Sequence, residues 1–256
     1  MRNHALPFTA ATLVLGIFAA FLRWLQNLNI FDEATGLARA GAGISYVLLL
    51  YVVLCAAVFA GLSIIWLRRG DCPAGPGDAL RSPGLLPVAL AWVCGAVWVG
   101  AALLLLFTVP ESGDTRLRRV FAAAAIFGGL CFPFLPQRAG GLHGFSRAAS
   151  AVLPVVSAFA LVYVYIEGTW YEPVLWRVAP GILAPAAATL AFLGVGGLLW
   201  GARQPRFTLF FLQLAAFLCL AVTFDSRPLW LSAMTAAAAV MCLLLEWLMV
   251  YDLRER

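Results

Sequence analysis

Residues 44–67 read ISYVLLLYVVLCAAVFAGLSIIWL, an unbroken run without a single charge. As a helix rising about 1.5 Å per residue it covers about 36 Å, enough to cross the roughly 30 Å hydrocarbon core of a bilayer. Arg68-Arg69-Gly70-Asp71 stops it at once, and the Gly/Pro-rich stretch from Cys72 to Gly84 follows. Working outward, the same pattern recurs over 6–28, 85–109, 117–135, 149–168, 181–201, 207–224 and 229–251. The breaks carry turn chemistry and charge: Pro110-Glu111-Ser112-Gly113-Asp114, Arg203-Gln204-Pro205-Arg206 and Asp225-Ser226-Arg227-Pro228. The last two are so short that the helices they join are expected to be antiparallel neighbours.

Composition agrees with this pattern. Only 11% of residues are charged, 63% are hydrophobic and the mean hydropathy is +0.94, whereas a soluble domain carries about 25% charged residues. The expectation is an all-α, polytopic transmembrane helical bundle of about eight spans, forming one domain over residues 1–256. Spans two and six open alike, Arg39 to Ile44 against Arg177 to Ile182, and both end in a tryptophan followed by arginine. These matches suggest a weak four-plus-four repeat of 1–135 and 149–251, although two short matches in a low-complexity membrane sequence do not establish a duplication.

Orientation follows from arginine placement, because cytoplasmic loops collect positive charge. The side shared by the termini holds ten arginines and four acids, and the opposite loops hold six arginines and seven acids. Both termini are therefore expected in the cytoplasm, in a multi-pass membrane protein. Arg116, Arg118 and Arg119 dissent, lying at an outer loop as candidate contacts for an anion. The first span, preceded by Arg2, lacks the small-residue pattern of a cleavage site and is expected to remain as a helix.

Cysteine and histidine argue against metal or haem. Five of the six cysteines fall inside apolar runs, none form C-x-x-C, and His4 and His143 lie in polar segments, so neither a zinc site nor a histidine pair for haem is expected. The chain has no lysine, which excludes a retinal Schiff base. No H-E-x-x-H, phosphate-binding loop or G-x-S-x-G is present. No cofactor, catalytic residue or nucleic-acid partner is expected, and the lipid bilayer is the one environment the residues demand.

Two charges lie within spans, Arg23 and Glu246. Each costs roughly 2.5–3.5 kcal/mol on insertion scales if left at mid-membrane. Arg23 shares a helical face with Gln26 and Asn27, three and four residues on. If its guanidinium is held inside the bundle, a carboxylate must meet it, and Glu167 on span five is the first candidate; otherwise it snorkels to the interface. Glu246, one turn from Trp247 and Tyr251, reads as an anchor at headgroup level. Tyr163 to Arg177 combines Glu167, Glu172 and Arg177 with Trp and Tyr at an outer interface, where aromatic anchoring is common. Arg23, Gln26, Asn27, Glu167, Glu172 and Arg177 together form the candidate polar or ligand site.

The segment Arg23-Trp24-Leu25-Gln26, followed by Phe31-Asp32-Glu33-Ala34-Thr35-Gly36-Leu37, resembles the opening of multi-span bacterial membrane proteins of unassigned function. In those, an apolar helix ends in R-x-x-Q and a phenylalanine-acid-x-x-T-G-L loop follows. The resemblance covers about the first quarter of the chain. It implies a bacterial cytoplasmic-membrane location and carries over no chemistry. Thr35-Gly36 is a natural turn, so Phe31 to Leu37 is expected to form an ordered outer cap. Two functions are compatible with these residues. One is a transporter or permease for a small neutral or lipid-like substrate, suggested by Pro133, Pro136, Pro154 and Pro185, which should kink or end their helices. The alternative is a non-catalytic accessory protein that binds a partner or lipids through its outer loops.

Overall fold

The computed structural model describes residues 5–30, 43–67, 80–108, 115–136, 143–171, 175–201, 204–225 and 228–252. They contain eight α-helices: α1 (Ala5–Ile30), α2 (Gly43–Leu67), α3 (Leu85–Phe107), α4 (Thr115–Cys131), α5 (His143–Tyr171), α6 (Leu175–Leu199), α7 (Pro205–Thr223) and α8 (Leu229–Asp252). Each is long and apolar enough to cross a membrane. The fold is an all-helical bundle, and the chain is a multi-pass integral membrane protein. Helices suit hydrocarbon because each satisfies its own backbone N–H and C=O groups, for which lipid offers no partners. Apolar side chains also cover the outside: Tyr46, Leu50 and Ile65 on α2 and Phe127 on α4 are exposed, forming a belt that only lipid tolerates.

Successive helices alternate in direction, as contacts between their ends show. Arg118 at the start of α4 reaches Leu105 and Thr108 at the end of α3, and Trp200 after α6 donates to Arg147 O at the start of α5. The starts of α1, α3, α5 and α7 thus share one face, called near below, and their ends the opposite, far face. α7 and α8 form the centre: α8 packs on α1, α3, α6 and α7, and α7 also packs on α1, α2 and α6. As their short connections require, α6 lies along α7 and α7 along α8.

The turn between α6 and α7 is set by two residues. Gly201 has φ 92, in the left-handed region where a side chain is strained, and its N–H closes the helix end on Leu198 O at 3.1 Å. Pro205 then opens α7, at a position where its missing N–H costs nothing. Close packing elsewhere depends on small residues. A methyl at Gly95 of α3 would lie 2.6 Å from Gly129 O of α4, and one at Gly128 would lie 2.8 Å from Val156 of α5. These glycines let the backbones of α3, α4 and α5 approach, so that dispersion holds the bundle where lipid removes the hydrophobic drive.

Two local expectations are corrected. α5 and α6 each begin six residues earlier than the hydropathy pattern alone implies, at His143 and Leu175. The first turn of α5 is polar, His143-Gly144-Phe145-Ser146, and that of α6 carries Arg177 and is followed by Pro180, which hid both from a reading by apolar runs. Pro154 and Pro185, with Pro180, lie inside continuous helices, as membrane helices tolerate when neighbours and hydroxyls take up the freed carbonyls. Beyond Pro185, Thr189 Oγ1 donates back to Pro185 O at 2.8 Å. Pro133 does end its helix: α4 stops at Cys131 and a 3₁₀ turn, Phe132–Phe134, follows. The expected cap from Phe31 to Leu37 lies outside the described residues.

Candidate functional site: two buried polar clusters and an apolar cavity

At the far end of α1, Arg23, Gln26 and Asn27 come together as their spacing implies. Arg23 is 2% exposed, so it is held within the bundle and does not snorkel. A carboxylate that meets it is Asp225, just beyond α7. Arg23 Nε donates to Asp225 Oδ1 at 2.9 Å and Nη2 to Oδ2 at 3.3 Å, a forked pairing that fixes both groups. Nη1 donates to Gln26 Oε1 at 2.6 Å, and Gln26 Nε2 passes the chain on to Ser45 Oγ of α2 at 2.9 Å. Asn27 Nδ2 donates to Asp225 Oδ1 at 3.0 Å. The cluster ties α1 to α2 and to the α7–α8 turn. Asp225 escaped the sequence reading because Ser226-Arg227-Pro228 beside it marks a solvent turn, and nothing in the order of residues tells which helix end it folds over.

The other outer candidates are described only in part. Glu167 lies on α5 and Arg177 on α6, but their side chains, and all of Glu172, lie outside the described residues. Arg118 turns to the C-terminal end of α3, donating from Nε to Leu105 O at 2.9 Å and from Nη2 to Thr108 O and Oγ1. There it meets the open carbonyls and the negative end of the helix dipole. Arg116 and Arg119 are exposed.

Glu246 overturns its expected role. It does not reach headgroups: it is fully buried, enclosed by α1 and α7 around the most deeply buried helix of the bundle. Its Oε1 accepts from Thr12 Oγ1 at 2.9 Å and from Gln213 Nε2 at 3.3 Å. Position along α8 placed Glu246 near an interface, but its side of the helix turns it into the core, with Leu245, Leu248 and Met249 buried beside it. Gln213 escaped the sequence reading because, unlike Gln26 and Asn27, it has no charge within a helical turn of it. A lone amide in the apolar run 207–224 was the available signal.

An apolar cavity of about 40 Å³ lies in the far half, walled by α3 to α8. Trp98, Phe121, Ala160, Val164, Pro185, Ala188, Cys219, Met234 and Ala238 line it, with hydroxyls from Ser157 and Thr235. Thr235 turns its hydroxyl to its own helix, donating to Leu231 O and Ser232 O at 3.0 Å. The indole N–H of Trp98 has no partner among the described residues. One water needs roughly 10–15 Å³ and several polar neighbours. The cavity has the room without the neighbours. Phe121 in its wall stacks on Tyr163 with centroids 4.5 Å apart, and Trp230 meets both edge-on. Tyr163, from the aromatic outer segment, is therefore a core residue and not part of an interfacial belt.

Comparison with protein-family models, with curated proteins and with solved structures gives no match.

Proposed function

We propose that this membrane protein is permease-like and takes a lipid-like molecule, one of whose apolar chains enters the cavity between α3 and α8. The observation that carries the reading is the chemistry of that wall. Sites for drug-sized solutes enclose roughly 300–1,000 Å³ and place several convergent polar groups. Here the space is smaller, the wall is almost wholly carbon, and one of its two hydroxyls is spent on its own helix. A neutral polar solute finds nothing to replace its water, whereas an alkyl segment gains contacts with Met234, Ala238 and Pro185. The unpartnered Trp98 N–H suits a molecule with one hydrogen-bond acceptor on an otherwise apolar body. The arginine asymmetry of the loops supports an orientation with both termini on the cytoplasmic side.

The test is to purify the protein in mild detergent, extract and identify retained lipid by mass spectrometry, and follow labelled-lipid movement after reconstitution into vesicles. Ala238→Phe, which fills the cavity, should lower both retention and movement while leaving the protein folded. Wild-type protein that retains no lipid, together with no labelling from a lipid-chain photoprobe at Met234, would sink the proposal in favour of an accessory role.

A further inference from the structure

Buried polar atoms are almost always hydrogen-bonded, and each exception calls for a cause. Among the described residues, four buried side-chain atoms have no partner: Ser63 Oγ, Trp98 Nε1, Gln213 Oε1 and Glu246 Oε2. The last two belong to one contact. Gln213 and Glu246 are both fully buried, and the amide Nε2 already donates to Glu246 Oε1 at 3.3 Å. That leaves the second oxygen of each group unmet. An amide oxygen can only accept, and an ionised carboxylate can only accept. Exchanging the amide's nitrogen and oxygen gives no relief, because it would set two acceptors against each other.

One particle resolves both deficits. A carboxylic acid and an amide form a two-bond pair, with the amide N–H donating to the acid's carbonyl oxygen and the acid's O–H donating to the amide oxygen. We propose that Glu246 and Gln213 form a proton-binding site, with Thr12 as a further donor to Glu246 Oε1. Loading is simple proton transfer: a hydronium ion gives H⁺ to Glu246 Oε2, water leaves, and no electron moves. In the closed bundle the proton bridges Oε2 and Gln213 Oε1.

The placement gives the site a use. Ala238, in the cavity wall, Cys242 and Glu246 recur every four residues and share one face of α8, so the site lies about 12 Å from the cavity along the helix axis. Losing the proton would leave a carboxylate fully enclosed with only Thr12 and Gln213 as donors. Release therefore requires α1, α7 and α8 to part and admit water. Proton occupancy and opening of the near half become one equilibrium. The groups that share this interior are Thr12 from α1, Gln213 and Cys219 from α7, Cys94 from α3 and Cys242 on α8. Among the described side chains of the helices packed on α8, the charged ones are Arg206, exposed at the near end of α7, and Arg23, paired with Asp225. The site does not depend on the lipid reading, and its test uses no lipid substrate.

The experiment is infrared spectroscopy of the full chain in lipid nanodiscs, reading the C=O stretch of protonated carboxyl groups. Wild type should show such a band at a position typical of a hydrogen-bonded acid, shifted in D2O. Glu246→Gln should remove it and Glu172→Gln should not. If Glu246→Gln fails to fold, Gln213→Met carries the assignment: the band should persist but move, because the acid has lost its acceptor. A wild-type protein without the band, a band unmoved by Gln213→Met, or a band abolished by adding sodium would overturn the proposal, the last by assigning the site to a metal cation.

Discussion

Arg23 and Asp225, 202 positions apart in the chain, meet through both carboxylate oxygens at 2.9 and 3.3 Å in the interior of the far half. Removing one member of a buried pair strands the other charge, at a cost of about 3–5 kcal/mol. Arg23→Leu is therefore expected to destabilise the protein by about that much, measured by denaturant or thermal unfolding in nanodiscs. Adding Asp225→Asn should recover a large part of the loss. An Arg23→Leu variant as stable as wild type would mean that the pair holds nothing.

Two glycines on α3 make a controlled comparison. A methyl at Gly95 would collide with Gly129 O at 2.6 Å, while one at Gly100 meets nothing within 4 Å. Gly95→Ala should cost about 1–3 kcal/mol, as overpacking does. Gly100→Ala should be neutral or stabilising, because alanine favours helix by about 1 kcal/mol. Equal unfolding midpoints for the two variants would contradict the close approach of α3 to α4.

Arg118 closes the end of α3 by donating to Leu105 O and to Thr108. Arg118→Ala should fray that end, speeding hydrogen exchange at Leu106, Phe107 and Thr108 and lowering stability by about 0.3–1 kcal/mol. Arg119→Ala, from an exposed neighbour, should leave exchange there unchanged. If both substitutions act alike, the effect is one of general charge and not of helix capping.

Topology is checked by reporter fusions. Fusions at Arg256 and near Asp78 should report the cytoplasm, and one near Glu172 the opposite side, as the arginine asymmetry of the loops requires. A non-cytoplasmic signal from the Arg256 fusion reverses the orientation.

The helices were legible because a bilayer imposes a length, and apolar runs such as Ile44–Leu67 announce it residue by residue. Helix ends were less legible: the first turn of α5 is polar, the start of α6 carries Arg177 and Pro180, and hydropathy cannot separate such a helix start from a loop. Arg23, Gln26 and Asn27 could be grouped because their spacing is local, but their carboxylate could not be named, since Asp225 arrives by tertiary folding. Glu246 shows the same limit from the other side. Its depth followed from its place in the run, but its burial depended on which neighbours enclose that face, and Gln213 drew no attention because no charge lies within a turn of it in the sequence.

The clasp between α1 and the α7–α8 turn also bears on how the protein is made. α1 is the first of these helices to leave the ribosome and α7 nearly the last, so Arg23 enters the membrane long before Asp225 exists. In that interval the arginine lacks its Asp225 partner, and an arginine at mid-membrane costs roughly 2.5–3.5 kcal/mol on insertion scales. Glu246 on α8 and Thr12 on α1 repeat the arrangement at the other end. Both buried clusters are therefore complete only once the α7–α8 hairpin has joined α1, and a chain interrupted before α7 lacks the acids that close them.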